Sequence, residues 1–419
     1  MAAAGRGAQA LSEGAGLVTL IACPHCDTLH QRVALAPRAR ASCACCGTIL
    51  YRQGVLDLNG WTAMSLATLA IFVIAQGFPI VSLSLQGREV SVTYWQALLY
   101  IWNQGDWLLS IMTGLCGFWF PLFRIVLTLW AVRCVSKGRL PGDFRVGMRL
   151  LRLISPWSMA PVLVLAIFIA IVKFADMASL SVEPGMLGFF LLSFFLTGLS
   201  RLNAFELWTH AERAGLVEPS GAHGHELACH VCACVQNAAA DGRCRRCGAR
   251  LHRRRENVPA RVWALGIAAA VVYVPANILP VMHIQSVLGA SDHTILGGVI
   301  QLWELGSWDL AVIVFAASVV VPITKLLALA VLMLYRRPRG ARMERQRTRM
   351  YEMVEFIGQW SMLDVFVVVL MGAMANFPGV TQILPRPGAL IFGVVVVLTM
   401  WATMSYDPRL GWDRLRGDD

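Results

Sequence analysis

Residues 58–87 read LNGWTAMSLATLAIFVIAQGFPIVSLSLQG, thirty positions without a Lys, Arg, Asp or Glu. A helix crosses the hydrocarbon of a bilayer in about 20 apolar residues. The stretch therefore holds one membrane span and runs on into a loop. Residues 262–291 repeat the pattern over another thirty charge-free positions, and 153–172, 184–200, 365–385 and 387–406 give further apolar runs. Two more, 107–132 and 310–335, are each interrupted by a single internal basic residue, Arg124 and Lys325. Of the 419 residues, 57% are hydrophobic and 15% charged. Soluble domains carry about 25% charged residues, so an ordinary soluble enzyme, a coiled coil and a disordered chain are excluded.

The runs predict an all-α integral membrane protein with eight transmembrane helices near 60–82, 107–133, 154–176, 185–208, 260–282, 309–335, 355–377 and 387–406. Residues 133–152 carry six basic residues and one acid, and 336–352 carry seven arginines and two acids. The opposite loops hold only Arg88, Glu89, Glu183, Asp292 and Arg386. The positive-inside rule then makes the arginine-rich loops and both termini cytoplasmic. The net charge of +11 is read as this topology signal, and nucleic acid is not an expected partner.

A shift of 201 residues places Cys43, Cys46, Pro79, Trp102, Trp107 and Pro121 on Cys244, Cys247, Pro280, Trp303, Trp308 and Pro322. At a shift of 203, Trp157-Ser-Met159 falls on Trp360-Ser-Met362, and Pro184-Gly185 on Pro387-Gly388. Each unit is a Cys-rich segment followed by four helices. An even number of spans gives both copies the same orientation, a parallel repeat. The expected divisions are a tail at 1–20, a first ribbon at 21–54, transmembrane repeats at 55–212 and 257–408, a second ribbon at 213–256, and a C-terminal tail at 409–419.

The ribbons rest on Cys23-Pro-His-Cys26 with Cys43-Ala-Cys-Cys46, and on Cys229-His-Val-Cys232 with Cys244-Arg-Arg-Cys247. Two C-x-x-C knuckles supply four thiolates to a closed tetrahedral site. Two Zn²⁺ sites are expected; iron uses the same ligands. Cys45 and Cys234 are read as neighbours of the sites, with Cys45 an alternative ligand to Cys46, and Cys116 and Cys134 as buried packing. Cys23-Pro-His-Cys26 alone has the form of a thiol oxidoreductase pair, but the βαβ scaffold of that chemistry is not legible here. A signal peptide is not read before Cys23, because the preceding apolar stretch is only about six residues against the 7–15 required.

Charges inside membrane spans are costly and point to function. Lys325 lies about 16 Å from the cytoplasmic Arg336 at 1.5 Å per residue, and Asp364 lies about 15 Å into its own helix. Matched depth predicts an ion pair, with Thr324 and Ser361 joining by hydrogen bonds. In the first repeat Arg124 stands at the place of Lys325, but Pro161 replaces Asp364. That repeat has its own pair, Lys173 and Asp176, spaced i,i+3 on one helical face. The short segments around residues 94–102 and their counterparts through Trp303 are expected to lie as interfacial helices.

The tandem ribbons, each leading four helices, together with Trp360-Ser-Met-Leu-Asp-Val-Phe366, Val182-Glu-Pro-Gly185 and Asp407-Pro-Arg-Leu410, resemble the paraquat-inducible protein A family, most closely its lipophilic envelope-spanning tunnel branch. The resemblance covers nearly the whole chain, with Pro161 as a departure. It implies a multi-pass protein of the bacterial inner membrane that passes phospholipid or another lipid to a periplasm-spanning MCE-domain tunnel protein, and that is not an enzyme. A Walker sequence is not found in the chain, so a proton or ion gradient through Lys325, Asp364, Lys173 and Asp176 is the implied source of work. Two other classes fit the residues alone: a redox protein passing electrons through metal ribbons, and a membrane anchor for a partner.

Overall fold

Short polar turns around the cysteines and long apolar runs after them divide the chain between two kinds of structure. The computed structural model describes residues 19–416 apart from 37, 55, 86–87, 176–178, 222–225, 238–240, 287–288, 305, 307, 335–339 and 375–380. Two antiparallel hairpins come first, β1 (Leu20–Ala22) with β2 (Leu29–Gln31) and β3 (Arg40–Ser42) with β4 (Ile49–Arg52). The helix α1 (Leu58–Gly77) starts where the Asp57 carboxylate accepts the Gly60 amide at 2.8 Å. That side chain satisfies one of the donors left open by the first turn.

A hairpin of β5 (Val81–Leu85) and β6 (Arg88–Val92) follows, then α2 (Tyr94–Asn103), opened by a Thr93/Gln96 capping box. Next come α3 (Trp107–Gly114), a π-helical turn at Leu115–Trp119, and α4 (Phe120–Ser136). Beyond lie α5 (Phe144–Ile154), a 3₁₀ turn at Ser155–Trp157, α6 (Ala160–Ala175), β7 (Ser179–Val182), α7 (Pro184–Leu199) and α8 (Ala204–Arg213).

The same sequence of elements then recurs. After β8 (Glu226–Ala228) and β9 (Val235–Asn237) come α9 (Val258–Ile278), β10 (Met282–Ser286), β11 (Gly289–His293) and α10 (Ile295–Glu304). They are followed by α11 (Trp308–Phe315), a π-helical turn at Ala316–Val320, α12 (Val321–Leu334) and α13 (Ala341–Gly358). A 3₁₀ turn at Gln359–Met362, α14 (Leu363–Met374), β12 (Thr381–Pro385), α15 (Pro387–Ser405) and α16 (Arg409–Arg416) complete the chain.

By length and composition seven helical stretches among the described residues can cross a membrane, and the bent pair α7–α8 makes an eighth. These match the eight expected runs, with three adjustments. The third and seventh begin earlier than expected, at Phe144 and Ala341, and each contains a 3₁₀ turn. The fourth breaks by 51° between α7 and α8, because the Asn203 side chain accepts the Glu206 amide at 3.0 Å and caps a new helix. Its expected continuation to residue 208 therefore fails.

The purely helical expectation also fails outside the helices. Strands β6-β5-β7 form one three-stranded sheet and β11-β10-β12 another, at the end of the molecule opposite the cysteine hairpins. The alternation in Val81-Ser-Leu-Ser-Leu85 and Ser179-Leu-Ser-Val182 is a period-2 strand signal that an apolar-run count conceals.

Helix α14 lies at the centre, with eleven of its twelve residues buried. It packs on α6 and α2, while α1 packs on α4 and α7, and α9 on α15. The two π-helical turns precede Pro121 and Pro322, each of which lacks the amide that a regular ladder needs. In the first, a Cβ on Gly117 would stand 2.1 Å from the Tyr94 hydroxyl, which donates to the Thr113 carbonyl at 2.9 Å. Only glycine leaves room for that hydroxyl.

Candidate functional site

Each cysteine knuckle is a tight turn closed by its own backbone. The amides of Asp27, Gly47, Ala233 and Gly248 donate to the carbonyls of Cys23, Cys43, Cys229 and Cys244 at 2.8–2.9 Å. All four donors sit in the left-handed region, with φ between 55° and 86°. Glycine takes that conformation at no steric cost; Asp27 and Ala233 are held in it by the turn.

The turns bring Cys23, Cys26, Cys43 and Cys46 together, and Cys229, Cys232, Cys244 and Cys247 likewise, with the ligand atoms of each set within 4.8 Å of one another. Sulfur separations are 3.4 Å for Cys23–Cys46 and Cys26–Cys43, and 3.6 Å for Cys229–Cys247 and Cys232–Cys244. A tetrahedral ion at about 2.3 Å from each sulfur sets its ligands about 3.8 Å apart. All eight thiols are free and buried. The donor sets thus fit a closed, tetrahedral, thiolate-preferring metal ion, and both expected ligand sets are assembled as read from the sequence. Cys45 and Cys234 lie outside them.

The clusters do not stand apart from the helices. Trp412 of α16 is buried against the first cluster. The Arg254 guanidinium joins Asp27 in the first module, at 2.7 Å, to Asp413 in α16. His25 meets Thr48 at 3.1 Å and Glu352 of α13 at 3.0 Å. The second cluster seats on the other half instead: Arg152 of α5 donates to the Val231 carbonyl, and Arg246 pairs with Glu212 of α8 at 2.9 Å. Each cysteine module therefore lies beneath the helices that precede it in a circular order, with the first closing under the last. Additional contacts tie the first module to α8, where Arg32 donates to Thr209 at 2.8 Å.

The second site is buried among helices. Lys325, 1% exposed, donates to the Gly358 carbonyl at 3.0 Å, the Ser361 hydroxyl at 2.9 Å and the Thr399 hydroxyl at 3.5 Å. The 3₁₀ turn at Gln359–Met362 interrupts the α-helical ladder there, and the Gly358 carbonyl takes the side-chain donor. Asp364, one turn along, lies near Ser318 of the π-helical turn, whose hydroxyl donates to the Val314 carbonyl at 2.6 Å, and the Asp364 Oδ2 has no partner.

The structure thus brings Lys325 together with Ser361 as expected, but no ion pair joins Lys325 to Asp364 among the described residues. Thr324 is exposed on the other face of α12. Gly358, Thr399 and Ser318 are added; Ser318 and Thr399 carried a sequence signal as isolated hydroxyls in apolar runs.

In the first half Arg124 is half-buried and its guanidinium makes no hydrogen bond or ion pair among the described residues. Ser158, at the register of Ser361, is buried with its hydroxyl unpartnered. Lys173 belongs to α6, but its side chain and all of Asp176 lie outside the described residues. Asp106 precedes α3 without a side-chain capping bond.

The family model described as paraquat-inducible protein A matches residues 58–212 and 260–416. The chain is 31% identical over 407 residues to the intermembrane transport protein PqiA of Escherichia coli K12, covering 94% of this chain and 95% of that one. To the lipophilic envelope-spanning tunnel protein A of the same organism it is 30% identical over 397 residues, covering 93% and 90%. A probable intermembrane transport protein of Haemophilus influenzae is 26% identical over 405 residues, covering 94% and 95%. No solved structure matches. With seven to eight apolar helices of spanning length, two clusters of four thiols and a family model matched on both halves, the chain is a multi-pass membrane protein and belongs to the paraquat-inducible protein A family.

Proposed function

We propose that the protein is an inner-membrane lipid transporter or loader that hands lipid to a periplasm-spanning MCE-domain partner. Support comes from relatives named for intermembrane transport and for an envelope-spanning tunnel, which align over nearly the whole chain. The divisions at 21–54, 55–212, 213–256 and 257–408 describe two parallel copies of one unit, a reading supported by the recurring order of sheets, π-helical turns and 3₁₀ turns. Arginine-rich α5 and α13 support a cytoplasmic side for the cysteine modules and both termini, which leaves the three-stranded sheets on the periplasmic side for a tunnel to dock on. Zinc is the expected ion, and its role is to cross-link the module rather than to react.

The observation that carries the reading is the buried cluster of the second half. A lysine ammonium held by neutral oxygens, and a separate carboxyl with an open oxygen, sit at membrane depth on packed helices. Maintaining both there is costly, and a brace would pair them directly. Two acid–base groups free to change partners suit a proton- or ion-coupled step.

The test is purification of the tagged full-length chain from a Gram-negative host after crosslinking. An MCE-domain protein and phospholipid should accompany the wild type. Asp364→Asn should retain the partner while the cells lose envelope lipid homeostasis. Intact homeostasis in Asp364→Asn cells would reject coupling, and absence of both lipid and MCE partner would reject the transport reading.

A further inference from the structure

Outside the two sites already described, a cavity of about 480 Å³ opens between the second cysteine module, the start of α5 with the loop before it, and α8 with the segment after it. Its floor is apolar. Phe144 and Trp208, 1% and 2% exposed, meet edge to face with ring centroids 5.1 Å apart. Its wall is cationic: Arg145, Arg245 and Arg246 line it, against one carboxylate, Glu218. Arg246 is fixed by Glu212 at 2.9 Å and by the Glu218 carbonyl at 3.0 Å. Arg245 meets the Glu218 carboxylate at 3.2 Å and the Pro219 carbonyl at 2.7 Å. The Arg145 guanidinium makes no hydrogen bond or ion pair among the described residues, so the wall holds one wholly unengaged cation and one shared with an exposed acid.

The volume is that of a small-molecule site, not of a packing defect. Guanidinium groups match the oxygens of a phosphate in planar, two-point fashion. Aromatic and aliphatic surface beside them suits a ligand with an apolar body. The position matters as well: the arginine-rich segment 133–152 lines the cavity through Leu140, Pro141, Gly142, Phe144 and Arg145, and such basic segments attract anionic headgroups. The second half does not keep the same space. There Gly411 stands at the register of Trp208, and the Glu344 carboxylate lies 2.1 Å from where its Cβ would be, itself paired with Arg347 at 2.7 Å. An internal carboxylate and arginine occupy that ground.

We propose that this cavity binds a phosphate ester, with the headgroup of an anionic phospholipid as one source and a soluble phosphate compound as the other. The site is independent of the transport reading and lies on the opposite side of the molecule from the sheets.

The full-length protein in neutral detergent is titrated with dihexanoyl phosphatidylglycerol, with dihexanoyl phosphatidylcholine, and with inorganic phosphate, following bound ligand by native mass spectrometry. Saturable binding of the anionic lipid or of phosphate is expected, and whichever binds identifies the source. Arg145→Gln with Arg245→Gln should weaken it by about tenfold or more. Glu218→Gln, which releases Arg245 from its competing acid, should tighten it about threefold. Metal content is measured in each variant, because Arg245 lies next to Cys244. Unchanged binding in the double variant at full metal content overturns the proposal, as does failure of both phosphatidylglycerol and phosphate to saturate. Should the double variant lose metal, Glu218→Gln decides: binding no tighter than wild type also overturns it.

Discussion

Gly185 donates its amide to the Pro79 carbonyl at 3.0 Å, and Gly388 makes the same bond to Pro280 at 3.1 Å. Residues that recur in the sequence at two slightly different spacings, 201 and 203, thus meet in space as partners. A Cβ at these glycines would lie 2.3 Å from the Pro79 oxygen and 2.5 Å from that of Pro280. Backbone cannot step aside cheaply, so Gly185→Ala and Gly388→Ala should each cost about 1–3 kcal/mol. Gly266→Ala, on an open face of α9, is the control and should be neutral or slightly stabilising. Thermal unfolding in detergent measures all three.

The buried cluster separates stability from transport. Lys325 leans on Ser361 and Gly358, not on Asp364, so Ser361→Ala should destabilise by about 1.5–3 kcal/mol, the range for a hydrogen bond to a charged group. Asp364→Asn leaves those bonds intact and should cost under about 1 kcal/mol. Activity should fall in the opposite order, with Asp364→Asn and its double variant with Lys325→Met folded but inactive in lipid homeostasis. Arg124→Met should be milder in both respects. A double variant with full activity would remove the cluster from the mechanism.

Metal binding should follow the two sets of four thiols. Replacing Cys26 or Cys232 by Ser should remove one equivalent of metal each and lower the amount of folded protein, because ligand binding and folding of such modules are coupled. Cys45→Ser and Cys234→Ser should keep both equivalents. Elemental analysis of purified protein reads the result and names the ion. Stripping by a chelator should lower the melting temperature of the wild type.

Arg254 ties the first cysteine module to the C-terminal helix through Asp27 and Asp413. Arg254→Ala leaves Asp413 without its cation and Asp27 with only the longer pair to Arg409 at 3.9 Å, at a cost of about 1–3 kcal/mol. Hydrogen exchange should rise over residues 20–52 and 409–416 together and stay unchanged in the second module, which seats on α5 and α8. Faster exchange in the second module alone would contradict the crossed seating.

Orientation has a direct check. Reporter fusions after Leu251 and at the C-terminus should behave as cytoplasmic, and fusions near Gln86 and Asp292 as periplasmic. A periplasmic signal after Leu251 would invert the whole arrangement.

The legible parts of the molecule were those written in local pattern. Apolar runs located every span, because a lipid solvent demands about 20 consecutive apolar residues and a helical backbone. Cysteine spacing located both thiol clusters, because a C-x-x-C turn presents its two sulfurs to one point whatever surrounds it. The 3₁₀ turns at residues 155–157 and 359–362 and the strands at 81–85 and 179–182 were harder to read, since both lie inside or beside runs whose composition already spells a span.

Partners of buried groups were not local at all. That Lys325 reaches Ser361, Gly358 and Thr399 while the Asp364 Oδ2 is left without a partner depends on how α12, α14 and α15 cross, and depth along each helix says nothing of the direction in which a side chain points. Likewise the cysteine spacing determined which thiols form each cluster, but only the tertiary structure placed the first cluster under Trp412 at the far end of the chain and the second on α5 and α8. Ligand sets follow from short-range turn geometry; the seating follows from ion pairs such as Arg254 with Asp27 and Asp413, more than 150 residues distant from one another in sequence at one side, which only the packed helices bring within reach.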